Sequence, residues 1–424
     1  MVLKLKVISA KIFLVYIYLT ILIYTCYAKE FSDRYGDMKK IRAWSTTKSE
    51  KLNKPGKLSK RAHTMSHNKN EIQKSVSTDR ISLISSTTSG PSWMASLPDN
   101  IKSRPITKIA IPGTHDSFAS DLDTSSVFAQ NTDQALLDFI TKFSKTEKLA
   151  KRITKSWGIT QLFDIETQLK LGIRYLDLRV MPKLDEPEKG EFYTAHSLYA
   201  VSLRSILTDV KEFLSKDSPG SNEVVFLDIN HLYGMTANDH QNCISLIYDI
   251  LNDGGNDDII YDSSDYSGNL TPGLTLKELQ NSNKKVLIFY DNLSYKQKLF
   301  RNDNMYSIWP RSKTGKDLYK KLNKYLHTDG RPIPNESYHP MYVSQYVMTP
   351  DGSVVARMPF SSLKKWEKGE LKGAYRLEEW SSRQYSDDDL HGVNIVIADF
   401  MTESMIQSVV KCNFRFSVVD KIMK

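Results

Sequence analysis

From Ser92 onward the chain is a succession of short runs of β-branched and aromatic residues, each followed by a stretch with helical spacing. Ile106–Ile111, Ile173–Val180, Glu191–Ala195, Glu223–Ile229, Lys285–Tyr290 and Asn394–Asp399 read as strands, with a weaker one at Met341–Met348. Between them, Asp164–Leu171, Val201–Lys216, His240–Leu251, Thr314–Leu326 and Glu403–Lys411 read as helices. The first of these has an aspartate at its start and Gly172 after its end. Strands that alternate with helices imply an α/β fold, a mostly parallel sheet covered by helices. An open doubly wound sheet and a closed barrel both satisfy that pattern.

Composition narrows the classes without choosing among enzymes. The 424 residues are 40% hydrophobic and include 22 Tyr, 16 Phe and 6 Trp, enough for a real core. Three cysteines exclude a disulfide scaffold, and no Cys-x-x-Cys pair offers a zinc site. The net charge of +9 divides unevenly. Residues 1–28 carry +3, residues 29–90 carry +8 from 14 Lys/Arg against 6 Asp/Glu, and 91–424 carry −2. The basicity therefore belongs to the amino-terminal arm, and nucleic acid is not an expected partner.

That arm has two parts. Lys4, Lys6 and Lys11 precede the apolar run Ile12–Tyr27, which ends at Ala28 and reads as a signal peptide or an uncleaved signal anchor. Residues 29–90, rich in Lys, Ser, Thr and Asn, read as a disordered basic linker. His63 and His67 are solvated there rather than a metal pair. Sequons at Asn269, Asn292 and Asn335 add to the expectation of a secretory-pathway protein, secreted or membrane-anchored, with its folded part lumenal or extracellular. Without residues 1–28 only Cys243 and Cys412 remain, an even pair that either bridges or lies buried. The acidic turn 252–258 lacks the spacing of a calcium loop and reads as surface.

Chemical information begins in the strand IRYLDLRV. Alternation puts Leu176, Leu178 and Val180 on one face and Tyr175, Asp177 and Arg179 on the other. If helices cover the apolar face, an acid and a guanidinium point inward, where unpaired charge is costly. Pro112-Gly113-Thr114-His115-Asp116-Ser117 follows the first strand, His196 follows the third, and Asp399 ends the last. Carboxyl ends of parallel strands converge on one rim, where active sites form. Histidines, aspartates and an arginine on one rim make an acid–base pair beside an anion clamp.

These residues resemble the X domain of phosphatidylinositol-specific phospholipase C, in its X-domain-only animal and bacterial forms. The matching pieces are Ile111–Phe118 (IPGTHDSF), Gln161–Val180, Tyr193–Leu198 (YTAHSL), Val224–Met235, Ile308–Arg311 (IWPR), Gln345–Asp351 and Asn394–Phe400 (NIVIADF). The resemblance implies an irregular TIM-type (β/α) barrel, a single catalytic domain over 91–424. It implies a phosphodiesterase that cleaves phosphatidylinositol or a glycosyl-phosphatidylinositol to diacylglycerol and a cyclic or acyclic inositol phosphate. His115 would be the general base, oriented by Asp399, and His196 the general acid, with Asp116 as its carboxylate. Arg179 would clamp phosphate, with Asp177 beside it and holding it in position.

Two positions bear on metal. Calcium-using members carry an acid where Arg179 stands and a glutamate near Asn230, so no metal and no cofactor are expected here. Asn230 also replaces a lysine of the bacterial enzymes, and His231 follows it; both are candidate substrate-binding residues at the inositol. The expected partner is an inositol phospholipid at a membrane surface, met by a monomer. The alternatives are a catalytically idle inositol-lipid-binding protein, which should have lost one histidine, and a glycerophosphodiester phosphodiesterase, whose early His-Arg pattern is missing.

Overall fold

Pro112 and Gly113 do not end the first strand; they form it. Ile111–Thr114 (β1) pairs in parallel with Tyr175–Pro182 (β2) on one side and Ile395–Ala398 (β10) on the other. A Cβ at Gly113 would lie 2.8 Å from Tyr175 Cδ1 and 2.9 Å from Ile397 Cγ2, so only glycine lets these neighbours close over the backbone. The predicted strand Ile106–Ile111 is a correction: Ile106–Lys108 is a 3₁₀ turn. Its backbone is met by asparagine side chains instead of a ladder. Asn394 Nδ2 donates to the carbonyls of Ile106 and Ile109, and Asn413 Oδ1 accepts from Ala110 N.

The computed structural model describes residues 90–415 apart from 133–146, 186–189, 253–257, 262–269, 272, 293–299, 302–303, 328–338 and 388–390. The apolar start, the basic linker up to residue 89, the sequons at Asn269 and Asn335 and the centre of the acidic turn lie outside the described residues.

The remaining strands are Phe192–His196 (β3), Leu198–Ser202 (β4), Val225–Leu232 (β5), Val286–Tyr290 (β6), Phe300–Arg301 (β7), Met305–Ile308 (β8) and Met341–Tyr346 (β9). Eight of the ten run parallel in the order β7-β6-β5-β2-β1-β10-β9-β8, the sequence of a (β/α) barrel. Among the described residues no ladder joins β7 to β8. Only three residues separate them, and a parallel crossover needs about a dozen. The ring therefore has one open seam, and this makes the barrel irregular. β3 and β4 stand outside the ring as an antiparallel excursion from β2.

Side-chain alternation on β2 follows the sequence expectation. Leu176, Leu178 and Val180 pack outward with Leu207 and Ile247 of the covering helices. Tyr175 packs inward with Ile111, Phe226, Leu287 and Ile397.

The helices Glu147–Gly158 (α1), Ile165–Leu171 (α2), Leu203–Phe213 (α3), Ala237–Leu251 (α4), Leu276–Asn281 (α5), Gly315–His327 (α6), Gly352–Arg357 (α7), Leu363–Glu370 (α8), Leu377–Ser381 (α9) and Glu403–Val410 (α10) cover the ring. Asp164 caps α2 by accepting from Thr167 N, and Gly172 ends it at φ +117. α1, α5, α7, α8 and α9 were not apparent in the sequence. Cys243 and Cys412 are both buried and free, and burial pushes each thiol up to about 12.

The amino-terminal mouth is closed by a buried ion pair. Arg174 Nε and Nη2 both lie 2.8 Å from Glu223 Oε2. Nη1 donates to the carbonyls of Leu169 and Ile173, and Nη2 to that of Pro91. Glu223 also accepts from Met94 N and Ala95 N. Both side chains are fully buried.

Candidate active site

At the opposite mouth the turn after β1 is fixed on every side. Gln161 Nε2 donates to the carbonyls of His115 and Ala398. Thr160 Oγ1 donates to His115 O and Asp116 O. Ser117 bridges the turn to β2, its N–H donating to Asp177 O and its Oγ accepting from Asp177 N. Gln168, in α2, donates to Ser117 O and accepts from Thr114 Oγ1. Sequence reading missed Thr160, Gln161 and Gln168. They precede or sit within a helix and make their contacts only after it docks.

The eight residues expected at the site, His115, Asp116, Asp177, Arg179, His196, Asn230, His231 and Asp399, all stand at this one rim. Asp116 is at its centre and is wholly buried. Its Oδ1 lies 2.6 Å from Arg179 Nε; its Oδ2 lies 3.5 Å from His115 Nε2 and 3.6 Å from His196 Nδ1. Burial opposes ionisation here, yet Arg179 and then the histidines 115, 196 and 231 hold the carboxyl at about 2.

His115 has its Nδ1 2.7 Å from Asp399 Oδ1. A carboxylate only accepts, so Nδ1 carries the hydrogen and Nε2 faces Asp116. Burial works against a charged imidazole, but Asp116, Asp399 and Asp177 together lift it to about 9. His196 arrives differently from a parallel strand end. β3 returns antiparallel to β2, with Val180 opposite Thr194, and carries His196 two residues further back to the rim. Its Nδ1 lies 3.1 Å from the carbonyl of Gly158, the last residue of α1. The directed bond of His196 is therefore to this carbonyl, with Asp116 a charge neighbour rather than its hydrogen-bond partner.

A second correction concerns Asp177. It does not hold Arg179, which pairs with Asp116. Asp177 accepts from Asn230 Nδ2 at 2.5 Å and from Asp116 N at 3.1 Å. The cause is a register shift between β2 and β5. Leu178 lies opposite Ile229 but Arg179 opposite His231, so Asn230 is the extra residue of a bulge and reaches back to Asp177. Asn230 Nδ2 also contacts Asp228 Oδ2, which accepts a very short bond from Tyr175 Oη. Asp228 was missed, although it shares the face of Phe226 and Asn230 on β5. His231 packs edge-on against Tyr233, ring centroids 5.6 Å apart.

Backbone geometry marks the same places. Asp116, Ser197 and Phe400 have φ of +40°, +59° and +51°, and each immediately follows one of His115, His196 and Asp399. Left-handed backbone costs a non-glycine residue of order 1–3 kcal/mol and persists where the surroundings impose it. Here it turns the preceding side chain over the rim.

His115, Asp116 and Asp177 bring their ligand atoms within 4.8 Å of one another and could in principle share a metal ion. The donor set does not suit calcium, which takes six to eight oxygens. It offers two carboxylates, one against a guanidinium and the other bound by an amide, and a nitrogen.

No family model matches the chain. It is 30% identical over 332 residues to PI-PLC X domain-containing protein 3 of Homo sapiens, spanning 76% of this chain and 94% of that protein. It is 29% identical over 332 residues to PI-PLC X domain-containing protein 2 of Mus musculus, spanning 73% and 83%. Among solved structures, the phosphatidylinositol-specific phospholipase C of S. aureus aligns with a TM-score of 0.50 at 18% identity, over 77% of this chain and 98% of that one. At this identity the likeness carries the fold, a TIM-type barrel.

Proposed function

We propose, for a chain that belongs to the family of PI-PLC X domain-containing proteins, a phosphodiesterase that cleaves phosphatidylinositol, or a glycosyl-phosphatidylinositol, at a membrane surface. The observation that carries this reading is the placement of two imidazoles on one buried carboxylate, 3.5 and 3.6 Å from Asp116 Oδ2, with a guanidinium on its other oxygen.

In-line displacement at a phosphodiester needs a base and an acid on opposite sides of phosphorus, and positive charge where the phosphoryl oxygens gain it. His115 Nε2 takes the proton of the inositol 2-hydroxyl, and Asp399 keeps the ring in the tautomer that allows this. The 2-oxygen bonds to phosphorus as the bond to the diacylglycerol oxygen breaks. His196, anchored through Nδ1 on the Gly158 carbonyl, protonates that leaving oxygen from Nε2. The products are diacylglycerol and a cyclic inositol phosphate, which water can open. Arg179 stands where a cation would otherwise serve, and its planar fork meets two phosphoryl oxygens at once. Asn230 and His231 border the place of the inositol ring.

The test is release of water-soluble inositol phosphate from phosphatidylinositol vesicles by the purified full-length protein, with and without a strong chelator. Release should be equal in both. Vesicle binding without release would leave an idle lipid-binding protein. Activity lost to chelator and restored by calcium would overturn the metal-free part of the reading.

A further inference from the structure

Asp399 commits one carboxylate oxygen to His115. The other, Oδ2, is buried and receives no directed donor. Beside it stands a carboxyl that the mechanism does not use. Glu367 lies on α8, which begins where Ser362 Oγ accepts from Lys365 N. Leu363 and Glu367, four residues apart on one face, turn inward, while Lys364, Lys365 and Lys368 are exposed. Glu367 is only 4% exposed, and its Oε1 is also buried without a donor. Leu363, on the same face of α8, packs in one cluster with Phe400, the residue after Asp399, and this brings Glu367 beside the Asp399 carboxyl.

Two buried carboxylates in contact cannot both be ionised, because like charges at that range force one of them to keep a proton. Asp399 has the His115 Nδ1 2.7 Å from its Oδ1, so that oxygen serves as the acceptor of the imidazole N–H. Glu367 meets the backbone N–H of Met348 and the negative charge of Asp399. On α1, which packs against α8, Lys151 and Lys155 are engaged by Glu147 and Asp121. Burial first, and then the Asp399 charge, push Glu367 well above the ordinary carboxylic range. One proton between the two groups accounts for both buried oxygens at once.

We propose that Glu367 is a positioning residue: held as the neutral acid, it donates its proton to Asp399 Oδ2 and so fixes the carboxylate that orients His115. The chain is then Glu367–Asp399–His115, with the base touching substrate and the glutamic acid acting through it. A buried carboxylate with one oxygen undirected can rotate; one held at both oxygens presents a fixed acceptor to the imidazole. The inference rests on His115 being the base for its kinetic consequence, but not for its protonation.

The protonation is read first, by infrared spectroscopy of the full-length protein at neutral pH. The native protein should show the C=O stretch of a protonated carboxylic acid, and E367Q should lack it. Turnover on phosphatidylinositol vesicles is read second. E367L should lose about tenfold in kcat with KM little changed, as for other partners that orient a catalytic ligand. E367Q, whose amide donates the same hydrogen bond without a titrating proton, should stay within about threefold of native. In a D399N background, E367L should cost nothing further, since the group it serves is gone.

If the native protein lacked the band, or if folded E367Q lost as much kcat as E367L, the proposal would be wrong. Should E367L fail to fold, the band and the E367Q kinetics still decide. Should the native protein release no inositol phosphate, the functional reading fails, and the band alone decides on Glu367.

Discussion

Two arginines five residues apart, Arg174 just before β2 and Arg179 within it, each face a carboxylate from a neighbouring part of the barrel. Arg174, at the amino-terminal mouth, faces Glu223, and each of its three guanidinium nitrogens has a directed acceptor. Arg179, at the carboxyl-terminal mouth, faces Asp116, and neither oxygen of that aspartate receives a directed hydrogen bond. Each end sets one guanidinium against one carboxylate. Only the first pair is closed geometrically. A buried ion pair whose hydrogen-bonding groups are all satisfied has nothing left to offer a ligand, and it holds Pro91–Ala95 against the barrel floor. A carboxylate approached by a guanidinium and two imidazoles, without directed bonds, leaves those groups able to turn toward a ligand.

The comparison can be broken at either end. Removing one member of a closed buried pair strands the other, typically at about 3–5 kcal/mol. E223A should therefore lower stability by about that amount in chemical denaturation, while the folded fraction turns over at the native rate. A loss below about 1 kcal/mol would mean that the floor pair is not structural.

At the other mouth the signs reverse. H115A and H196A should each lower turnover by about 10²–10⁴-fold, the usual worth of a general acid or base. Measured above pH 9, where the His115 proton no longer adds stability, their unfolding midpoints should stay close to native. Either variant turning over near the native rate would remove that histidine from the mechanism, and a stability loss as large as that of E223A would erase the distinction between the two ends.

Arg179→Ala should lower turnover by about 10²–10³-fold, the scale for one preorganised donor to a developing oxyanion. Arg179→Lys should recover little of it, since an ammonium does not reproduce the fork. Stability of both variants should move less than for E223A. Equal turnover of Lys and Arg at this position would show that point charge alone suffices.

The smallest effect sharpens the electrostatics of the upper mouth. His115 at about 9 holds a proton at neutral pH, and only its neutral form can act as the base. kcat/KM should therefore climb with pH along a limb near 9. D399N removes one of the charges that raise the imidazole, so its limb should fall toward the ordinary value of about 6.5, on a lower plateau. The same shift gives stability that is complete below about pH 6.5 and is lost as pH rises through about 9. A D399N limb unmoved from the native one would show that Asp399 does not set the charge of His115.

Much of the upper mouth was legible because strand chemistry is local. Alternation along Tyr175–Val180 put Asp177 and Arg179 on the lumen face, and the structure keeps them there. His115, His196 and Asp399 were visible as polar residues at the ends of apolar runs. Their partners were not. Arg179 was paired with Asp177 from spacing on one strand, whereas a bulge at Asn230 gives Asp177 to the amide and leaves Arg179 to Asp116. Gln161, Gln168 and Glu367 carried no signal, because a polar residue near or within a helix reads as a solvated one until something covers it. Arg174 and Glu223 were silent because each stands at the start of a strand run, where a charged residue reads as solvated.

What the sequence determined by itself was the order of elements, the face on which each strand residue lies, and the set of groups brought to one rim. These follow from backbone periodicity and from side-chain polarity, which are properties of neighbours in the chain. The tertiary structure alone decided which carboxylate meets which cation, which of two arginines closes a wall and which opens a site, and where a proton is shared between buried acids. Those outcomes depend on distances of a few ångströms between residues as far apart as His115 and Asp399, or Arg174 and Glu223. In a low-dielectric interior such distances set both charge state and hydrogen-bond geometry, and no pattern along the chain encodes them.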